Sequence, residues 1–393
     1  MALPLEGIKI LDLSTMLPGP FCTMILADFG AEVIKVEAVK GGDLFRGAKP
    51  LLQDTGGAFF QVNRNKKSIS INLKSEEGKE IFYKLAKDAD VIVEQYRPGV
   101  VTKLGVDYEA IKAINPKIVY CSLSGYGQDG PYKLQSGHDL NYISYAGILG
   151  LTARKGQAPT LPGVQVADIG GGALYATIGI LLALMAVKQN GIGQYIDTSM
   201  LDGAVSWLPI LAAEYFVNGV PPKAGGAILI GQNACYEVYE TKDGRYISIG
   251  AVEPHLWGNF CDKIGKEEFK GWQRDLAKQD EMFTYLRAMF KTKTKAEWCE
   301  FLTDVDCCWA PVLNIDEVFE NEQVLHRGMV FDMTDPQGQY GTIKEIGSAV
   351  KLSETPARRE LFPPRKGQHN SEYLKKLGYT DEQVAEFTEK GII

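Results

Sequence analysis

Along the first third of the chain, hydrophobic and polar positions alternate between two patterns. Short apolar runs rich in β-branched residues recur: "IKILDL" (8–13), "AEVIKVE" (31–37), "KSISINL" (67–73), "DVIVEQY" (90–96) and "KIVYCSLSGYG" (117–127). Between them, apolar residues fall at helical spacing: "FCTMILADFG", closed by Gly30, then "KSEEGKEIFYKLAKDA" and "DYEAIKAIN". The runs predict strands and the spaced segments predict helices. Strands separated by helical crossovers suit parallel pairing in a sheet covered on both faces, an α/β architecture.

Further on the pattern changes. "ALYATIGILLALMAV" (173–187) is the most apolar stretch and is short for a membrane span, so it reads as buried; residues 168–189 predict one long buried helix. Near residue 215, "VNGVPPKAGGA" reads as a linker or domain crossing. "ACYEVYETKDGRYISIGAV" then predicts a hairpin around Lys242-Asp243-Gly244, because Asp-Gly favours tight turns. Charged helical segments follow over 255–304, and the tail returns to short strands and an amphipathic helix near "SEYLKKLGY". With 393 residues, two domains are expected. The layout is a large α/β domain over 1–214, a smaller α+β domain with linkers over 215–330, and a return to the large domain over 331–393.

Composition narrows the function. The chain is 45% hydrophobic and 23% charged, with net charge -7, so it lacks the basic footprint of a nucleic-acid binder. Seven cysteines, an odd number with no CxxC pair, fit reduced thiols in the cytoplasm rather than a disulfide framework or a zinc site. The N-terminal "MALPLEGIKILDLS" lacks a basic segment followed by a long apolar one, so no signal peptide is expected. No nucleic-acid or membrane partner is expected either.

Several groups could carry chemistry. Gly125-Tyr126-Gly127-Gln128-Asp129-Gly130 matches GxGxxG after a strand, but Pro131 follows and no helix opens there to face a pyrophosphate. A flexible loop at the sheet edge is the better reading. His138-Asp139 is either a helix cap, with Asp139 capping "LNYISYAGIL" and His138 preceding it, or a proton carrier. Asp168 is either the cap of the long helix or a base or nucleophile. Gly170, Gly171 and Gly172 after it leave a helix N-terminus open to hold an oxyanion. Glu94 and Glu253 each end a strand, where a carboxylate can be a surface acid, orient an imidazole or share a proton. Asn63-Arg64-Asn65-Lys66-Lys67, with Leu73-Lys74, is either a solvated loop or a phosphate-binding edge.

Taken together, "ADFGAEVIKVE", "NRNKKSISINLK", "VIVEQYRPGV", "LSGYGQDGP", "ADIGGGALYATIGILLAL", "GQYIDTSMLDG" and "YETKDGRYISIGAVEP" resemble the family III CoA transferases, the CaiB/BaiF group. "GHDLNY" followed by "ADIGGG" is similar to the α-methylacyl-CoA racemase branch, as is "MLPGP", where several transferases carry glutamine in place of Leu17. The resemblance implies a large Rossmann-like domain, a small domain and an interlocked homodimer. It implies that His138 and Asp168 are the two catalytic bases, with Glu253 orienting His138 and Glu94 in the supporting network. It implies CoA contacts among Arg64, Leu73, Lys74, Tyr96 and Arg97, with Arg64 also at a position important for racemase activity. Many members carry Arg after the second strand; this chain has Ala38, so phosphate contact would come from Arg46 or Lys40. The implied reaction inverts the 2-position of a 2-methylacyl-CoA through an enolate, with CoA as part of the substrate and no metal or further cofactor. The alternative is CoA transfer to a carboxylic acid through an Asp168 anhydride and thioester, which does not call on His138.

Overall fold

In a computed structural model, which describes residues 1–393, the chain divides into two units. The first comprises residues 1–146, 164–207 and 323–393, and the second 147–163 and 208–322.

The first unit is built on six parallel strands: β1 (Lys9–Asp12), β2 (Glu32–Glu37), β3 (Lys66–Ser70), β4 (Val91–Glu94), β5 (Val119–Ser124) and β6 (Tyr195–Ser199). Their spatial order is 3-2-1-4-5-6. The chain winds outward from β1 in one direction and then restarts at β4 in the other. Connections leaving the C-terminal ends of β1 and β4 therefore diverge, and a crevice opens between them. Both faces of the sheet are covered, which is why its strands read as continuous apolar runs rather than alternating ones.

Helix α1 (Pro18–Asp28) follows β1 and starts with prolines, whose fixed φ suits a first helical turn. Helix α2 (Glu76–Lys87) is capped by Ser75, whose Oγ accepts the N–H of Gly78 at 3.1 Å, and it buries Ile81, Phe82, Leu85 and Ala86. These join Leu11, Ile34, Ile69 and Ile92 in one core. Beyond β5 come α3 (Asp139–Tyr145), then α4 (Val166–Leu174), wound as a π-helix, which runs on as α5 (Tyr175–Asn190), and α6 (Met200–Val205). The long helix is not the buried one its composition predicts. Ala176, Thr177, Ile180 and Ala183 face inward, while Ile178, Leu182 and Met185 are exposed. By length and apolarity Val166–Asn190 passes the test for a membrane span, a test that core helices also pass.

The basic segment 63–67 is neither a solvated loop nor a phosphate edge. Asn63, Arg64, Asn65 and Lys66 are all buried. Arg64, 2% exposed, donates from Nε and Nη2 to Asp28 at 3.0 and 2.7 Å, and from Nη1 to Glu345 Oε2 at 3.0 Å and the Ile346 carbonyl at 2.9 Å. Its donors thus tie the end of α1 to the hairpin of Val330–Thr334 and Thr342–Ile346. The Lys66 ammonium donates to Asp12 at 3.0 Å, Asn63 at 2.9 Å and the Pro20 carbonyl at 2.9 Å. Burial pulls its pKa down to about 8, while the same burial is outweighed at Asp12 by Lys66 and Lys35, which hold that carboxyl well below its ordinary range.

In the second unit, β7 (Tyr236–Glu240), β8 (Tyr246–Gly250) and β9 (Trp309–Pro311) form an antiparallel sheet. Gly244 takes φ +71° in the turn between β7 and β8, which explains the Asp-Gly pair. The helices pack Trp257, Phe260, Phe290 and Trp298 on the sheet. The unit boundaries fall at 207/208 and 322/323, and residues 147–163 belong here rather than with the large domain. Arg154 holds them, donating to the Val238 carbonyl at 2.8 Å and lying 3.7 Å from Glu237. The stretch expected as a linker is partly helical, as the end of α7 (Pro209–Asn218).

Removing the Arg64 guanidinium strands two buried carboxylates. Arg64→Ala is expected to cost about 3–5 kcal/mol in urea unfolding, and Arg64→Lys to recover only part of it, because an ammonium cannot bridge Asp28 in two-pronged fashion. Lys74→Ala, at an exposed position, is expected to leave the midpoint unchanged.

Candidate active site

The crevice at the reversal of strand order is a cavity of about 700 Å³ within the first unit. Its walls come from the exits of three strands: Thr15–Pro18 after β1, Gln95–Pro98 after β4 and Ser124–Tyr126 at the end of β5. Leu44, Phe45, Lys133, Gln135 to His138, Gln165 and Asp168 are among its other lining residues.

Local chemistry shapes each wall. Asp43, itself buried and paired with Lys35 at 2.7 Å, accepts the N–H groups of Met16 and Phe45 at 3.0 and 2.9 Å and the Thr15 hydroxyl at 3.0 Å. Those bonds hold Met16 at φ +65°, a conformation unfavourable for a side chain with a Cβ. Gly19 donates its N–H to Gln95 Oε1 at 3.0 Å, joining the exits of β1 and β4. A Cβ there would lie 2.2 Å from Ser14, so "LPGP" needs its glycine for close approach. Tyr142 lies against Gly125 and Gly137 and donates its hydroxyl to the Gly137 carbonyl at 2.6 Å. Gly127 and Gly130 have φ near +88° and +77°, and no helix follows them, so the GxGxxG match is a loop.

His138 and Asp168 both line this cavity, and Asp139 connects them. His138 occupies the cap position of α3, where its N–H donates to Asn141 Oδ1 at 3.0 Å. Its imidazole makes no cap bond and is exposed to the cavity. Asp139 does not cap its own helix, as the sequence led us to expect. Its Oδ1 accepts the N–H groups of Ala167 and Asp168 at 2.6 and 3.0 Å, so it caps the next helix, α4. Burial first, and the Asp139 charge second, push the Asp168 carboxyl up to about 6, against a smaller opposing pull from His138.

This arrangement overturns the oxyanion reading of the glycines. Three of the first four N–H groups of α4 are spent: those of Ala167 and Asp168 on Asp139, and that of Ile169 on the Gln165 carbonyl at 3.2 Å. Gly170, Gly171 and Gly172 are buried for packing instead. A Cβ on Gly170 would lie 1.9 Å from the Trp207 ring, one on Gly171 2.6 Å from the Met200 carbonyl of α6, and one on Gly172 2.7 Å from the Met200 side chain.

The remaining candidates divide. Tyr96 and Arg97 line the cavity, and Arg97 donates to Ser136 Oγ at 2.7 Å. Glu94 is 1% exposed beneath that wall, where it accepts the Tyr96 N–H at 2.7 Å; burial, only partly offset by hydrogen bonds from Ser122 and Tyr96, pushes its pKa up to about 7. It supports the turn and does not line the cavity. Arg64 is enclosed in the ion pairs described above, so no face of it reaches a ligand. Leu73 belongs to the hydrophobic core and Lys74 lies on the surface; neither lines the cavity. Arg46 pairs with Glu37 at 2.7 Å and faces a different cavity, and Lys40 lines neither. Glu253 stands in the second unit, exposed at the start of α8 (Pro254–Lys263) without capping it. Lys133, Gln95 and Gln165 on the cavity wall carry no spacing signal in the sequence. The role of Asp139 is signalled only by its place beside His138.

A model of the CoA-transferase family III matches residues 5–370. The chain is 35% identical to the succinyl-CoA:glutarate CoA-transferase of Homo sapiens, covering 99% of this chain and 90% of that one. It is 34% identical to the alpha-methylacyl-CoA racemase of Mus musculus, covering 99% and 97%. Among solved structures, a CaiB/BaiF family protein from Brucella suis superimposes with a TM-score of 0.84 at 29% identity, covering 96% of this chain and all of that one.

Two consequences of the Asp139 charge can be measured. Asp139→Asn is expected to lower the Asp168 pKa from about 6, while burial keeps it above 3.8, as read by carboxyl NMR titration. Because folded Asp168 holds its proton more tightly than the unfolded chain does, its contribution to stability is full below about pH 4 and falls as pH rises to about 6. Asp168→Asn is expected to flatten that slope in urea unfolding across the same window.

Proposed function

The chain belongs to CoA-transferase family III, an enzyme superfamily, and from that premise we propose that it is an acyl-CoA racemase of the α-methylacyl type. The observation that carries this reading is the pairing of His138 and Asp168 on one cavity, with the pKa of Asp168 raised to about 6. One base takes the α-proton of a 2-methylacyl thioester. The C–H electron pair moves into the carbonyl as an enolate, and the acid on the other side returns a proton to the opposite face. A carboxyl raised to about 6 can both take and return a proton near neutral pH, as an exchange of roles between two bases requires. Glu94 is assigned to hold the Tyr96–Arg97 wall. The N–H groups of Ala167, Asp168 and Ile169 are already bonded, so the enolate oxygen takes its donors elsewhere on the cavity wall. The reaction needs no redox cofactor, and CoA enters as part of the substrate.

A second reading rests on the similarity to the human glutarate CoA-transferase. In it the Asp168 carboxylate attacks the thioester carbonyl and expels CoA thiolate, giving an anhydride. The thiolate then attacks the enzyme acyl carbon, releasing the first acid and leaving an Asp168–CoA thioester for the acceptor carboxylate. Asp168 serves both reactions, and His138 serves only the first.

A homodimer is also proposed. Ile178, Leu182 and Met185 on α5, and Phe216 and Val217 on α7, are exposed apolar residues of the kind a second copy covers. Light scattering is expected to give twice the chain mass, and a chain-mass result would overturn this part of the proposal.

Incubating one enantiomer of a 2-methylacyl-CoA in D₂O without any acceptor acid tests the reaction. Deuterium is expected at the α-carbon with loss of optical purity, and His138→Ala and Asp168→Ala are each expected to slow racemisation by about 10²-fold or more. Absence of exchange, together with acceptor-dependent CoA transfer that survives His138→Ala, would establish the transferase instead.

A further inference from the structure

With the N–H groups of Ala167, Asp168 and Ile169 bonded, the oxygen of a reacting thioester needs a donor from another part of the wall. Three glutamines line the cavity, and their amides are held differently. Gln135 spends its Nε2 on the Tyr145 hydroxyl at 3.1 Å. Gln165 is exposed, and its side chain makes no cap bond to α4. Gln95 is half-buried, and its Oε1 accepts the N–H of Gly19 at 3.0 Å.

Only the oxygen end of an amide can accept a backbone N–H, so this bond settles how the Gln95 amide is turned. Its Nε2, with two N–H donors and no acceptor in the protein, is the end left to the cavity. The backbone beside it is fixed as well, because Glu94 holds the Tyr96 N–H at 2.7 Å. A Cβ on Gly19 would stand 2.8 Å from the Gln95 oxygen, so the glycine of "LPGP" also lets the amide reach the first turn of α1. Helix α1 packs along α4, which carries Asp168. The amide is thus tied to a neighbour of the helix that holds the reacting carboxyl. Other donors on the wall are less suited. The Thr15 and Tyr142 hydroxyl protons are spent on Asp43 and the Gly137 carbonyl. Arg97 and Lys133 are exposed to water, which weakens a donor.

We propose that Gln95 is the catalytic residue that donates to the thioester oxygen. When a base removes the α-proton, the C–H electron pair becomes the C=C bond and the carbonyl π pair moves onto oxygen. When the Asp168 carboxylate attacks the carbonyl instead, the same π pair moves onto the same oxygen in a tetrahedral adduct. In both, the Gln95 N–H groups meet negative charge where the ground state offered a neutral carbonyl, and no proton leaves the nitrogen. A hydrogen bond to a charged oxygen is roughly twice as strong as one to a neutral oxygen, so the gain falls in the transition state. This assignment rests on the thioester reading of the cavity, and not on which of the two reactions runs there.

Gln95→Glu, assayed where the new carboxyl is ionised, separates the donor from the tie to α1. A carboxylate still accepts the Gly19 N–H, so the wall stays held, but it has no N–H to give. In whichever reaction the protein runs, Gln95→Glu and Gln95→Ala are each expected to lower kcat by about 10²-fold, with KM changed much less. A structural role alone gives another pattern, with activity lost in Gln95→Ala and kept in Gln95→Glu. That pattern, or kcat within about two-fold of wild type in folded Gln95→Glu protein, would overturn the proposal. A second measurement needs no turnover. In an Asp168→Ala background, isotope-edited infrared difference spectroscopy reads the thioester carbonyl of bound isobutyryl-CoA. The band is expected at lower wavenumber with Gln95 present than with either Gln95 variant. An unchanged band, with ligand bound in all three proteins, would overturn the proposal. Because the band reports one hydrogen bond and not a reaction, Gln95 and the racemase reading stand or fall separately.

Discussion

A parallel sheet wound in two directions from one strand cannot cover its own carboxyl edge at the point of reversal. Right-handed crossovers carry the chain to one face after β1 and to the other after β4. The crevice left there is a consequence of topology, and no side chain is needed to create it. What side chains do is keep it open and give it chemistry. Thr15–Pro18, Gln95–Pro98 and Ser124–Tyr126 on its walls all lie at the exits of strands at that edge.

Charge buried beneath the edge supports the walls. Lys35, Lys66, Arg64, Asp12, Asp28 and Asp43 are all buried, and each has a partner of opposite sign. Taking such groups out of water is costly, and the cost is offset only where geometry and additional hydrogen bonds are good. The bonds supplied here run to the loops: Ser14, Met16, Pro20 and Phe45 are held by Lys35, Asp43 or Lys66. The same network that would be expensive elsewhere specifies one arrangement of the exits of β1 and β2.

The chemistry then depends on how one carboxylate is placed. Asp139 caps α4, and in doing so fixes the start of the helix that carries Asp168 beside the loop that carries His138. It also raises the Asp168 pKa by like-charge repulsion, on top of burial. A carboxyl poised in this way suits a proton carrier, and it is still ionised enough near neutral pH to be a nucleophile. Similarity at 35% to a transferase and 34% to a racemase is therefore no paradox. In the two proposed readings the same aspartate serves either reaction, and only racemisation calls on His138.

Much of this was readable along the chain. Alternating strand and helix periodicity marked all six strands of the parallel sheet except β6, because a covered parallel sheet needs continuous apolar runs and long crossovers. Asp-Gly marked the hairpin of the second unit, since only a short list of residues accepts φ above zero. The family motifs, His138 and Asp168 among them, were visible as residue types at fixed places in sequence. What they touch was not. Whether Arg64 and Lys66 faced water or acid depended on Asp28, Glu345 and Asp12, which lie far away in sequence and arrive only when α1, the hairpin and β1 pack. Whether three glycines held an oxyanion or admitted Trp207 and Met200 depended on the approach of α6. Whether Asp139 capped its own helix or the next was a matter of distance between segments. Local pattern records backbone preference and burial, which act within a few residues. Ion pairs, caps between elements and cavities are set by long-range packing, and only the tertiary structure decided them.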